Sequence, residues 1–161
     1  MLLLTLFILA ADQATKYMVL SRLDAFPADI WPGVFSITPV FNTGGAFGVF
    51  RDFPALFLIV PSAAIALVIV MILRIEYVRR RGGAGGQRCA VGYRADEFSL
   101  CLILAGAAGN MIDRVRLGYV VDFLDFKVWP VFNIADSAIT IGMTVLVIRM
   151  LIQGFKRRAA K

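Results

Sequence analysis

Between Gly106 and Gly142 the chain gathers four aspartates, Asp113, Asp122, Asp125 and Asp136, with Asn110 and Asn133 beside them. Only 17% of all residues are charged and 60% are hydrophobic, so this concentration of acids stands apart. Carboxylates within or at the edge of a bilayer are costly and are functional candidates by default. Histidine is absent, which excludes Ser-His-Asp and Cys-His nucleophile systems and every His-ligated metal centre. Hydrolysis by this chain would fall to carboxylates, lysines or hydroxyls. Two neighbouring carboxylates cannot both ionise freely and share a proton near neutral pH. One then activates a water while the other protonates the carbonyl oxygen or the leaving amine, with no metal or cofactor. Asp122, in the connection after the third apolar run, and Asp136, in the first turn of the fourth, are the two acids placed to meet. Asp136, near a helix N-terminus, has the place better suited to the ionised form. Asp125 reads as a solvated or salt-bridged residue. The structural alternative for the whole cluster is helix capping and pairing with Arg114, Arg116 or Lys127.

The elements that must hold these acids are apolar runs. With 161 residues and a mean hydropathy of +0.79, the chain reads as one integral membrane domain, mainly α. Crossing a bilayer takes about 20 apolar residues, and four spans are expected at about 2–20, 55–73, 98–112 and 134–152. Residues 21–54 and 115–132 would connect them on one side, and a loop at 74–97 on the other. Arg74, Arg79, Arg80, Arg81, Arg88 and Arg94 crowd that loop, and Lys156, Arg157, Arg158 and Lys161 close the chain. By the positive-inside rule both termini are cytoplasmic and the acids lie at the outer edge. The net charge of +6 thus sets orientation and gives no sign of nucleic-acid binding.

Within the first span Asp12 and Lys16 stand at i and i+4, acid first, as a helical ion pair prefers. The alternative is a signal peptide with Met1–Ala11 as its apolar core, but a basic start is missing and charges follow at once. The lack of a basic residue before Leu2 suggests a native start upstream. Phe26, Trp31, Phe35, Phe41, Phe47, Phe50 and Phe53 make 21–54 rich in aromatics and point to interfacial anchoring. Val34–Phe41 is at best a short edge strand, because it contains Pro39. Residues 42–48 read as a small-residue turn and Gly82–Gly86 as a flexible linker. Gly106, Ala107, Ala108 and Gly109 offer a face for close helix approach. Tyr119–Phe123 alternates as an extended segment does. Cys89 and Cys101 have no metal-binding spacing, and no disulfide is expected.

Five motifs carry a resemblance. Asp12-Gln13-x-Thr15-Lys16, Asn42-x-Gly44-Gly45-Ala46-Phe47-Gly48, Gly106-Ala107-Ala108-Gly109-Asn110-x-x-Asp113-Arg114, Val120-Val121-Asp122-Phe123 and Phe132-Asn133-x-Ala135-Asp136-Ser137 occur in order over nearly the whole chain. Together the set resembles that of the bacterial lipoprotein signal peptidases, or signal peptidase II. The resemblance implies four transmembrane helices with a small extracytoplasmic β-cradle and an interfacial helix. It implies an aspartic endopeptidase of the bacterial cytoplasmic (inner) membrane that cuts prolipoproteins just before a diacylglyceryl-modified cysteine. Asp122 and Asp136 match the catalytic pair. Gly106, Asn110, Arg114, Asn133 and Ala135 match residues around the site, Asn42 matches an outer-loop asparagine, and Asp12 with Lys16 matches a bracing ion pair. No cofactor is implied; membrane lipid is the surrounding partner, and a monomer is expected. Gly45 stands where alanine is usual, the connection from Asp122 to Asp136 is shorter than usual, and the Gly82–Gly86 loop is longer.

Two other classes compete. A Ser/Lys peptidase would use Lys16 or Lys127 with a serine such as Ser137, and would need a neutral lysine; Asp12 opposes that at Lys16. A small transporter or proton relay would use the same acids, but would spread polar residues through the bilayer depth instead of gathering them at one edge.

Overall fold

The structure, a computed structural model, describes residues 1–43, 55–81 and 87–159, so Gly44–Gly48, Phe50, Phe53, Gly82–Gly86 and Lys161 lie outside it. Apolar runs of good helix formers become α1 (Leu2–Leu20), α2 (Leu56–Arg81), α3 (Gln87–Leu117) and α4 (Ile134–Ala159). Each contains a stretch long and apolar enough to cross a membrane. The apolar runs locate the helices but not their ends. Most of the loop expected at 74–97 is helical: α2 continues to Arg81 and α3 starts at Gln87. Charged residues sustain these extensions, with Glu76 engaging Arg80 at 2.6 Å and also Arg79, while Arg81 sits 4.7 Å over the Tyr77 ring.

α3 is the central helix. Leu100, Cys101, Leu102, Ile103, Ala105 and Ala107 are buried along it, and Val68 of α2 packs against Leu100 and Ile103. The outer helices instead present Leu58, Ile59, Val60 and Leu67 on α2, and Ile141, Val147, Ile148 and Leu151 on α4. An apolar girdle of that extent is what lipid, not water, would face. Close approach of α3 to α4 depends on a glycine from each. A Cβ on Gly106 would collide with the Ala135 carbonyl oxygen and lie 2.7 Å from Ile139 Cγ1; one on Gly142 would lie 2.7 Å from the Ser99 carbonyl oxygen. The small-residue face read from Gly106–Gly109 is therefore the packing face, with Gly109 set against Asp12 and Ala135.

At the bundle end that holds the acids sits an antiparallel sheet, β1 (Ala28–Trp31), β2 (Phe35–Asn42) and β3 (Val120–Asp125), in the order β1-β2-β3. β2 corrects the edge-strand expectation, being the central strand and 8 residues long. Pro39 is accommodated because the register slips between Ile37 and Val40, so its missing N–H breaks no regular ladder there. Of the expected interfacial helix, the described residues contain the 3-10 turn Leu23–Ala25. The aromatics divide their roles: Phe35 packs on Phe126 and Phe41 on Tyr119, whereas Trp31 is exposed.

Gly118, at φ +80°, ends α3 by donating its N–H to the Arg114 carbonyl at 3.1 Å, and turns the chain into β3. After β3 the chain loops out and returns: Phe132 exchanges backbone hydrogen bonds with Leu124 at 2.8 and 3.1 Å. That bridge brings the start of α4 back beside β3. Gly106→Val should cost about 3 kcal/mol or more, because the obstructing atom is backbone and cannot move aside. A thermal melt in detergent, compared with the exposed Gly154→Val, checks it.

Candidate active site

Asp122 lies buried in the middle of β3, and the register decides its first partner. Asn42 pairs with Val120 and Val40 with Asp122, so Asn42 and Asp122 share a face of the sheet. The Asn42 Nδ2 donates to Asp122 Oδ2 at 3.1 Å. The other oxygen, Oδ1, accepts from Asn133 Nδ2 at 2.7 Å. Burial, above all, pushes the Asp122 carboxyl up to about 6. The charge of Asp136 adds to that rise, while the amides of Asn42 and Asn133 and the charge of Lys16 oppose it.

Asp136 is positioned by the start of its own helix. Asn133 precedes α4, and its Oδ1 accepts the Asp136 N–H at 2.8 Å, while Asp136 Oδ2 accepts the Asn133 N–H at 3.3 Å. This is a reciprocal capping box whose fourth residue is the acid itself. Asp136 Oδ1 accepts from Asn110 Nδ2 at 2.7 Å. Asn133, with no exposed surface, touches both acids and also donates to Asn110 Oδ1 at 3.0 Å. One asparagine thus spans the pair.

Behind this node α1 supplies Asp12 and Lys16, 2.9 Å apart. Lys16 also pairs with Asp113 at 2.8 Å and donates to Asn110 Oδ1 at 3.1 Å. Asp12 Oδ1 accepts the Ala135 N–H at 2.9 Å, and the Ala135 side chain fills the space beside Gly109. Arg114 donates to the carbonyl of Asn110 at 3.1 Å. Asp122, Asp136, Asn42, Asn110, Asn133, Ala135, Asp12 and Lys16 are therefore one hydrogen-bonded group, with Gly106 and Arg114 at its border.

In front of Asp136 opens a cavity of about 470 Å³ lined by Phe126, Trp129, Phe132, Ser137, Thr140 and Ile141. Its walls are mostly apolar, with one carboxylate at the end. One buried acid and one half-buried acid, amides on every carboxylate oxygen and an apolar groove leading to Asp136 suit hydrolysis of a substrate that is largely hydrophobic.

Comparison with known proteins agrees. Residues 4–152 match the family model described as signal peptidase (SPase) II. The chain belongs to the signal peptidase II family. It is 41% identical over 160 residues to the lipoprotein signal peptidase of Desulforapulum autotrophicum, covering 92% of this chain and 90% of that one. It is 38% identical over 144 residues to the lipoprotein signal peptidase of Halothermothrix orenii, with 89% of each chain covered. A solved bacterial membrane enzyme, determined by the in meso method, superposes with a TM-score of 0.70 at 29% identity, covering 95% of this chain and 88% of that one. The chain is accordingly a multi-pass bacterial inner-membrane protein and a protease by family.

Within this signal peptidase II site, the partnership of Asp113 with Lys16, the donation of Gln13 Nε2 to both Asp113 and Asp12 and the capping box at Asn133 were not foreseen from the residues alone. The box had a signal, Asn-x-x-Asp at the start of a span. Asp113 had one too, since Gly106, Gly109, Asn110 and Asp113 share a helix face. The serine–lysine alternative finds no support: Ser137 Oγ donates to the Asn133 carbonyl at 2.9 Å. Lys127 lies with Ser36, which is fully buried, and pairs with Asp125 at 2.8 Å. That pairing pulls the Asp125 carboxyl down to about 2. Asn133 should separate stability from chemistry. Asn133→Ser retains a capping oxygen and should melt above Asn133→Ala by about 1 kcal/mol. Both lack the amide that joins the acids, and both should lose cleavage by about 100-fold. Melts and turnover of the two variants check this.

Proposed function

We propose that the chain is an aspartic endopeptidase in which Asp122 and Asp136 hydrolyse the peptide bond before the lipid-modified cysteine of prolipoproteins. The observation that carries the reading is the pair of carboxylates joined through Asn133 at the end of the apolar groove. The family relatives are named lipoprotein signal peptidases, and the groove suits their class of substrate.

In this reading Asp136, within the first turn of α4, takes a proton from water, and the resulting hydroxide adds to the scissile carbonyl. Asp122 carries the shared proton and gives it to the carbonyl oxygen. Collapse of the tetrahedral intermediate returns a proton to the leaving amine through the same pair. The donors on all four carboxylate oxygens hold both acids in place without reorganisation during the reaction. The signal helix would lie along α4, and an acyl chain would occupy the groove between Phe126, Trp129 and Ile141.

The reading places both termini in the cytoplasm and the acids at the outer face. Basic residues support that orientation: Arg79 and Arg149 pair with Glu97 and Asp96 at the end of the bundle opposite the sheet. Exposed Trp31, Val128 and Trp129 on the sheet side suit the lipid headgroup boundary. A monomer suffices, because the acids and the groove come from one chain.

Asp122→Asn and Asp136→Asn should each lower cleavage of a diacylglyceryl-modified prolipoprotein by about 1,000-fold while the melting transition persists. Near-normal turnover in either folded variant would remove the aspartic mechanism. The pH profile gives a second check. The kcat/KM of the free enzyme should fall as pH rises through about 6, where Asp122 loses its proton. Asn42→Leu removes a donor that favours the ionised carboxyl, so Asp122 should hold its proton longer and the limb should move to higher pH.

A further inference from the structure

Three buried side chains behind the acids make bonds that the proposed reaction does not itself use. Asp12, Lys16 and Asp113 are at most 3% exposed. Each carboxylate accepts one backbone N–H from a distant element. Asp113 Oδ2 accepts the Val121 N–H at 3.1 Å, and Asp12 Oδ1 accepts the Ala135 N–H at 2.9 Å. Val121 immediately precedes Asp122, and Ala135 immediately precedes Asp136.

Both N–H groups need such an acceptor. Val121 lies on β3, whose edge away from β2 is bridged by Phe132 only at Leu124, so the Val121 N–H on that edge has no ladder partner. Ala135 is the second residue of α4, and the first N–H groups of a helix have no carbonyl within it. Lys16 Nζ then joins the two acceptors, at 2.8 Å to Asp113 and 2.9 Å to Asp12. Gln13 Nε2 spans them again, at 3.0 and 3.2 Å. We infer that Asp113 and Asp12 are positioning residues, each fixing one member of the catalytic pair through the peptide N–H before it, and that Lys16 locks the two settings together and so sets the separation of Asp122 and Asp136.

This inference rests on the reading of Asp122 and Asp136 as the catalytic pair. It differs from a bracing role in one respect: the position of the carboxylate matters, not only its charge. Asp113→Glu retains the charge and a partner for Lys16 but moves the acceptor by one methylene. A brace would tolerate that change, whereas a positioning residue would shift Val121 and Asp122 with it. The groove residues do not touch Asp113, so substrate affinity should be spared.

The test compares kcat, KM, the pH profile and the melt of the full-length enzyme carrying Asp113→Glu, with Val68→Ala as a destabilised control remote from the site. Expected for Asp113→Glu are a loss of about 10- to 100-fold in kcat, KM within about twofold and a displaced alkaline limb. Val68→Ala should melt lower with kcat and the limb unchanged. Wild-type kcat and pH profile in folded Asp113→Glu would overturn the inference alone, provided Asp122→Asn is inactive in the same assay. Cleavage surviving in Asp122→Asn would remove the catalytic pair and the inference with it. Where Asp113→Glu does not fold, Asp12→Glu makes the same comparison at Asp136. In the wild type, the Val121 and Ala135 amides should exchange hydrogen among the slowest in the chain, and rapid exchange at either overturns the inference without any variant.

Discussion

An ammonium group donates three hydrogen bonds and accepts none, and in a site closed to water that polarity has to propagate. Lys16 Nζ points at Asp12, Asp113 and Asn110 Oδ1. Asn110 Oδ1 also receives Asn133 Nδ2, so only its own Nδ2 is left to face Asp136. Asn133 donates towards Asp122 and uses its oxygen for the Asp136 N–H. Neither amide can flip without setting donor against donor. The orientation of both amides that bind the two acids from behind follows from one lysine whose direction is fixed.

Such a node demands a fold in which α1, α3, β3 and the start of α4 meet at one point. The glycines provide the approach, Gly106 against the α4 backbone and Gly109 against the Asp12 carboxylate. The bridge between Leu124 and Phe132 folds the outer connection back, so that residues far along the chain reach one place. Among the described residues no buried side-chain nitrogen or oxygen lacks a partner, as a low-dielectric setting requires. Deeper along α3 the packing turns apolar, with Val68, Leu100 and Ile103 in contact. The carboxylates of the node thus stand at one end, separated by this apolar stretch from Asp96 and Glu97 at the other, which is the wrong distribution for a relay across the bilayer.

Much of this was legible in the residues, but unevenly. Apolar length revealed four helices, because the bilayer criterion depends on composition alone. It missed their ends, since Glu76, Arg79 and Arg80 prolong α2 through side-chain pairs that no hydropathy window registers. Asp12 and Lys16 were legible as a pair because helical spacing is local. Their link to Asp113, 97 residues beyond Lys16 in numbering, was not, since nothing local encodes which helix faces which. Pro39 misled for a related reason: it forbids a regular ladder, but a bulge admits it into a central strand. Asn42 was reached through the resemblance, and the β2–β3 register is what explains its contact with Asp122.

The same arrangement separates holding the acids from presenting the substrate. Donors to Asp122 and Asp136 come from the protein side, from Asn42, Asn110, Asn133 and a backbone amide. The groove approaches Asp136 from a different direction, between α4 and the Phe126–Phe132 loop. Its walls are apolar and non-directional, so they discriminate by shape and hydrophobicity and tolerate varied side chains. The polar node, by contrast, has no slack, because each of its members has its bonds fixed by the next. Variation along the groove can therefore retune which hydrophobic substrates enter without disturbing the geometry that cuts them, whereas a change at the node has no neutral direction in which to relax.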